Sequence, residues 1–173
     1  MDAKGRIQAL FDLWALKDSY LIESHATDGE ALKAALEKFV VSDKVELVDR
    51  TEEYALFWVL GPKGSAVLEK ASSAKVVFGP WETGMQGTED SRVRVARTDD
   101  WGIPCFRVWC PAADAQGVSG KILAAGQDHG LALLGWEALS VLRVEAGVPL
   151  FGGDVDGSLL PKHEPLHRVV SGE

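Results

Sequence analysis

The sequence predicts an α+β protein with mixed or antiparallel sheets and packed helices. Three observations carry that reading. Strand-like and helix-like stretches follow one another from an opening hairpin to a closing helix, without the strict alternation of a parallel α/β chain. Residues 54–60, YALFWVL, are almost all apolar, as a strand buried on both faces would be. Residues 135–146 repeat apolar positions at helical spacing just before a Gly- and Pro-rich tail.

Residues 6–16 read as a strand and residues 20–24 as its hairpin partner across the polar Lys17-Asp18-Ser19. Thr27-Asp28-Gly29-Glu30 is a capping box, with Thr at the cap and Glu three residues on. It opens a helix to about Val40, with Ala31, Leu32, Ala35, Leu36 and Phe39 on one face. Residues 45–48 alternate as a short strand, and residues 54–60 read as a central one. Gly61-Pro62 starts a helix to about Ala71, since Pro at the first helical position sacrifices no bond. Residues 75–78, 92–97 and 103–109 read as strands, and residues 79–91 as a loop. A weak helix runs from Pro111 to about Ala125, and the last helix from Gly135 to Ala146. Beyond Gly147 the glycines and prolines leave no regular element. The chain shows no internal repeat and no clear interdomain linker.

Composition narrows the function. Of 173 residues, 46% are hydrophobic and 25% charged, which is globular rather than disordered. The net charge of −8 and the scattered basic residues argue against direct binding to a phosphate backbone. No apolar run approaches the roughly 20 residues of a membrane span. The opening Met-Asp-Ala-Lys-Gly-Arg lacks the apolar core of a signal peptide, so the expected compartment is cytoplasmic. Cys105 and Cys110 lie five apart on one strand, on opposite faces. They are expected to be reduced, buried thiols.

Glu145 is the anomaly. On the wheel of the last helix, Ala138, Val141 and Leu142 share one side, and Glu145 falls among them. The wheel therefore predicts a core-facing carboxylate, in a last turn where the helix dipole disfavours negative charge. Such a group needs partners. These are either an Arg or a set of backbone N–H groups, or a ligand. A carboxylate accepts two parallel hydrogen bonds from a flat edge such as the N3–H and 2-amino group of a pterin. Trp136 or Trp14 would supply an aromatic wall for that ring.

Other motifs carry less. His163-Glu164-Pro165-Leu166-His167 spells a zinc motif, but Pro165 breaks the helix that the motif requires. Gly61-Pro62-Lys63-Gly64-Ser65 lacks phosphate-loop spacing and reads as a turn before a helix. Asp154-Val155-Asp156-Gly157 lacks the closing Glu of a calcium loop, so no metal is expected.

Longer matches carry a family resemblance. Leu142-Arg143-Val144-Glu145-Ala146-Gly147-Val148-Pro149-Leu150-Phe151-Gly152 resembles the L-R-x-E-A-G-x-P-L-Y-G signature of the folate-binding aminomethyltransferase superfamily, the T protein of glycine cleavage and its relatives. Leu60-Gly61-Pro62-Lys63-Gly64-Ser65-Ala66-Val67-Leu68 resembles that family's Q-G-P-x-A-x-x-V-L turn and helix. Asp2-Ala3-Lys4-Gly5-Arg6 resembles the D-x-K-G-[RK] turn of the YgfZ branch, and residues 38–45 its K-Y-x-x-x-S-K-V stretch. Leu160-Pro161-Lys162-His163-Glu164-Pro165-Leu166 occupies the place of its P-x-E-A-G-L segment.

The resemblance implies a partial folate-binding aminomethyltransferase-like domain over residues 1–173, lacking the family's first segment and C-terminal barrel. It implies tetrahydrofolate as the ligand, with Glu145 on the pterin edge, Arg143 as its electrostatic partner and Trp136 beside it. It implies a YgfZ-like role supporting assembly or repair of iron–sulphur enzymes, and through them tRNA modification, with an iron–sulphur client as partner. Two departures bear on this. The family's transfer-site Asp pair corresponds here to Ala9 and Leu10, which counts against the alternative of aminomethyl transfer. The branch's K-G-C-[FY]-x-G-Q-E motif has no match, and neither Cys105 nor Cys110 takes its place. The chain thus reads as a fragment or as a degenerate, non-enzymatic interaction domain. Apolar surfaces left bare by missing segments would favour a homo-oligomer.

Overall fold

A computed structural model of the chain describes residues 2, 4–24, 29–42, 44–85 and 92–160. The chain forms two compact units, one of residues 1–49 with 147–173 and one of residues 50–146.

In the first unit, β1 (Asp12–Ala15) pairs antiparallel with β2 (Tyr20–Glu23), Asp12 opposite Glu23 and Ala15 opposite Tyr20. This is the expected hairpin, but only the last third of the 6–16 stretch is strand. Helix α1 spans Gly29–Glu37, and Thr27 and Asp28 of the capping box lie outside the described residues. Leu32 is buried, with Ala35 and Leu36 half-buried beside it. Ala31 and Phe39, expected on the same face, are exposed. Residues 45–48 form no strand, because no neighbouring strand takes up their backbone groups and alternation alone does not make a ladder. The region after Gly147 is irregular, as expected. It is held by a bridge between Phe151 and Val155 and by a hydrogen bond from the Ile7 N–H to the Leu159 carbonyl at 3.1 Å. Ile7 and Val155 form its buried core, with Leu10, Phe151 and Leu159 around them.

The second unit is one four-stranded antiparallel sheet with two helices on one face. In chain order it runs β3 (Tyr54–Leu60), α2 (Gly64–Ser72), β4 (Glu82–Met85), β5 (Arg94–Thr98), β6 (Cys105–Pro111), α3 (Ala115–Gly126) and α4 (Trp136–Glu145). The spatial order is β3-β6-β5-β4. Registers Phe57↔Val108, Val59↔Phe106 and Val95↔Val108 line up one face. Val67 and Leu68 of α2 and Ile122 and Ala125 of α3 pack against it. Cys105 and Cys110 are both buried, on opposite faces of β6, and neither is in a disulfide.

Four expectations are corrected. The apolar β3 is an edge strand, and the centre belongs to β6, which is buried throughout from Cys105 to Cys110. Apolarity on both faces marks burial from above and below, not a neighbour on each side. Residues 82–85, placed in a loop, form the other edge strand. Residues 75–78 form no strand. Pro62 lies in the turn before α2 rather than at its first position; Gly61, at φ +111°, makes that turn, and the Gly64 N–H bonds its carbonyl at 3.0 Å.

Gly64 lets α2 close onto the sheet. A Cβ there would sit 2.8 Å from Cδ2 of Phe106, a ring buried in the core. Alanine usually gains up to about 1 kcal/mol over glycine inside a helix. Overpacking a filled core costs about 1–3 kcal/mol. Gly64→Ala is therefore expected to be destabilising by about 1 kcal/mol net, read as a lower urea midpoint at unchanged slope. A raised midpoint would contradict the close packing of α2 on Phe106.

Candidate functional site

Helix α4 carries the expected ligand residues. Its half-buried residues are Leu139, Leu142, Arg143 and Ala146, spaced i, i+3, i+4 and i+7, with Ser140 beside them. The predicted stripe was Ala138, Val141, Leu142 and Glu145. The helix is thus turned by one residue, about 100°, from the wheel reading. Val141 and Val144 are 58% and 63% exposed, and the Glu145 carboxylate faces solvent rather than the core. The physical reason is the side chain available at each position. Arg143 can lay its long aliphatic stem on apolar surface, whereas a carboxylate on a shorter stem cannot. Trp136 is exposed at the start of the helix, two turns from Glu145. The Ala146 N–H caps the Leu142 carbonyl at 2.9 Å, and Gly147 at φ +69° ends the helix. An exposed carboxylate with an arginine two residues before it leaves both oxygens open to a pair of N–H donors. This fits a pterin edge without the cost of a buried charge.

The opening turn belongs to the first unit. Asp2 Oδ1 accepts hydrogen bonds from the backbone N–H groups of Lys4 at 2.8 Å and Arg6 at 2.9 Å, and Oδ2 meets Arg6 Nε at 3.3 Å. Gly5 holds φ +77°, which a side chain would resist by about 1–2 kcal/mol. This gives D-x-K-G-R a physical meaning, a carboxylate-capped tight turn. Beyond it, Ala9 lines an apolar groove with Gln8, Phe11, Leu32, Ala35, Leu36 and Phe39. Among the described residues no acidic or basic side chain lines that groove.

A third cluster was missed by the sequence reading. Arg107, on the sheet face away from α2 and α3, is 1% exposed. Its Nη2 meets Asp100 Oδ2 at 3.3 Å, and its guanidinium lies 4.4 Å from the centroid of the Trp58 ring. Trp101 meets Trp58 edge to face, centroids 5.4 Å apart. Among the described residues, Thr98 Oγ1, Asp100 Oδ1 and Trp101 Nε1 are buried without a hydrogen-bond partner. The available signal was an arginine in the middle of the apolar run CFRVWC.

The remaining motifs are local. Asp154 Oδ2 accepts from the Leu150 N–H, and Asp156 Oδ1 from the Ser158 N–H, both at 2.8 Å. These carboxylates cap turns, and the Ser158 hydroxyl and N–H hold Asp156 below its ordinary pKa. Among the described residues no group of three or more His, Cys, Asp or Glu is gathered to hold a metal. His163-Glu164-Pro165-Leu166-His167 lies outside the described residues.

Residues 2–173 match the family described as the GCVT N-terminal domain, and the chain belongs to that family. It is 31% identical over 155 residues to an aminomethyltransferase of Saccharopolyspora erythraea, covering 89% of this chain and 42% of that protein. It is 30% identical over 175 residues to an aminomethyltransferase of Geobacillus thermodenitrificans, covering 99% of this chain and 47% of that one. A crystal structure of glycine cleavage system aminomethyltransferase T from Bartonella henselae shares the fold, with a TM-score of 0.82 at 20% identity, over 97% of this chain and 45% of that chain. The chain therefore spans less than half the length of these relatives.

The Asp2 turn gives a pH prediction. Hydrogen bonding from the Arg6 N–H, ahead of the smaller effects of Lys4 and the Arg6 charge, holds the Asp2 carboxyl below the ordinary carboxylate value. Its contribution to stability is complete above the ordinary value of about 3.9 and is lost as pH falls through the lower folded value. NMR titration is expected to place the Asp2 midpoint below that of an unfolded aspartate. A midpoint at or above it contradicts the capped turn.

Proposed function

We propose that the chain is the folate-binding part of an aminomethyltransferase-type protein, with Glu145 accepting two hydrogen bonds from the pterin edge of tetrahydrofolate. The observation that carries this reading is the exposed Glu145 carboxylate at the end of α4, inside a stretch that resembles the family signature at every fixed position but Phe151, where the signature has Tyr. Arg143, in the half-buried stripe beside it, supplies positive potential, and Trp136 an exposed aromatic surface. The relatives named aminomethyltransferase support one-carbon transfer to tetrahydrofolate as the reaction of the whole protein.

A second reading has its own observation. Ala9 and Leu10 stand where transferring relatives are expected to carry two aspartates, and Ala9 sits in a groove without acid or base. This favours a YgfZ-like protein that binds the folate without catalysing transfer and supports iron–sulphur enzymes.

Calorimetric titration of the chain with tetrahydrofolate is expected to show saturable binding. Glu145→Gln is expected to weaken it by about 2 kcal/mol, roughly thirty-fold, since a hydrogen bond to a charged group contributes about 1.5–3 kcal/mol. A folded chain that does not bind, or a variant that binds as tightly, contradicts the role of Glu145. Turnover of a labelled aminomethyl donor by the whole protein would decide for transfer; binding by the whole protein without turnover decides for the second reading.

A further inference from the structure

The end of β5 and the loop after it bury more polar atoms than their own hydrogen bonds satisfy. Thr98 Oγ1, Asp100 Oδ1 and Trp101 Nε1 are shielded from solvent, and none meets a hydrogen-bond partner among the described residues. Each buried polar atom left so weakens the fold. The three lie within four consecutive residues and gather beside Arg107. Thr98 stands opposite Cys105, two residues along β6 from Arg107, so it shares the face that Arg107 occupies. Asp100 meets Arg107 through Oδ2, which leaves Oδ1 over. Trp101 packs on Trp58, which stands opposite Arg107 in the β3–β6 ladder.

We propose that Thr98, Asp100 and Trp101 bind one internal water molecule. The donor set selects it. A carboxylate oxygen accepts only, an indole N–H donates only, and a hydroxyl does either. The guest must therefore donate and accept at once. A cation would face the Trp101 N–H and the neighbouring guanidinium, and an anion would face the Asp100 carboxylate. The shielding of all three atoms limits the guest to the size of water. Internal waters typically make about three hydrogen bonds to such groups. This one accepts from Trp101 Nε1, donates to Asp100 Oδ1 and shares a hydrogen bond with Thr98 Oγ1. Thr98 and Trp101 are then positioning residues. They act through the water, which holds the Asp100 carboxylate in the orientation that presents Oδ2 to Arg107.

Two measurements on the purified chain test this. By NMR, the indole proton of Trp101 is expected to show direct cross-relaxation with a long-lived water. Thr98→Val supplies the second readout, because it keeps the shape of the side chain and removes its hydroxyl. A hydroxyl that serves the water is stabilising, so the variant is expected to unfold at a lower urea concentration than the parent and to lose the indole–water signal. A dry, unpaired hydroxyl is destabilising, so its removal would raise the urea midpoint instead. Trp101→Phe removes the N–H, keeps a ring against Trp58 and carries the same stability test where Thr98→Val fails to fold. A parent without the indole–water signal overturns the inference. So does a raised midpoint in either variant.

Discussion

The architecture of residues 50–146 depends on a charge that cannot be given up. Arg107 sits in the central strand with its side chain withdrawn from solvent. A buried charge without compensation costs several kcal/mol. The sheet therefore has two differently built faces. One is a conventional apolar layer under α2 and α3. The other must supply a carboxylate and an aromatic face to one cation. The β5–β6 connection provides both constraints together. It folds back so that Asp100 reaches Arg107 and Trp101 meets Trp58. Gly102, at φ +71°, with its N–H on the Asp99 carbonyl at 3.1 Å, makes the reversal. The register Thr98↔Cys105 leaves the loop the length this requires.

Much of the fold was legible where one pattern had one reading. The bounds of β3, the ends of α4 within one residue and the opening hairpin follow from apolar runs and polar turns. The misreadings have separate physical causes. Residues Glu82–Met85 have no apolar alternation, because an edge strand containing Gly84 has little to bury. Strand β3 has a central strand's composition at an edge, since composition reports faces and not neighbours. The α4 wheel failed by one step because it counted arginine as polar all round, when its stem packs as an apolar group. Arg107 and Glu145 were the same kind of anomaly, a charge in an apolar pattern, yet only Arg107 is buried.

The candidate site shows how function can persist or change on one fold. Its residues around Glu145 resemble the superfamily signature, and the exposed carboxylate costs the fold nothing to keep. The groove at Ala9 is lined, among the described residues, by apolar side chains and Gln8. Membership in the family rests on the whole chain, whereas the proposed readings differ over a few side chains in the first unit.

The claim that Arg107 organises the sheet is tested most directly by the stability of Asp100→Leu beside that of Asp100→Leu/Arg107→Met. The account predicts that the single variant, which leaves a buried guanidinium without its carboxylate, loses about 3 kcal/mol in chemical denaturation. The double variant, which removes the charge as well, is predicted to be the more stable of the two. A single variant within about 0.5 kcal/mol of the parent would contradict the account, because it would make the pair no more consequential than an ion pair on the surface.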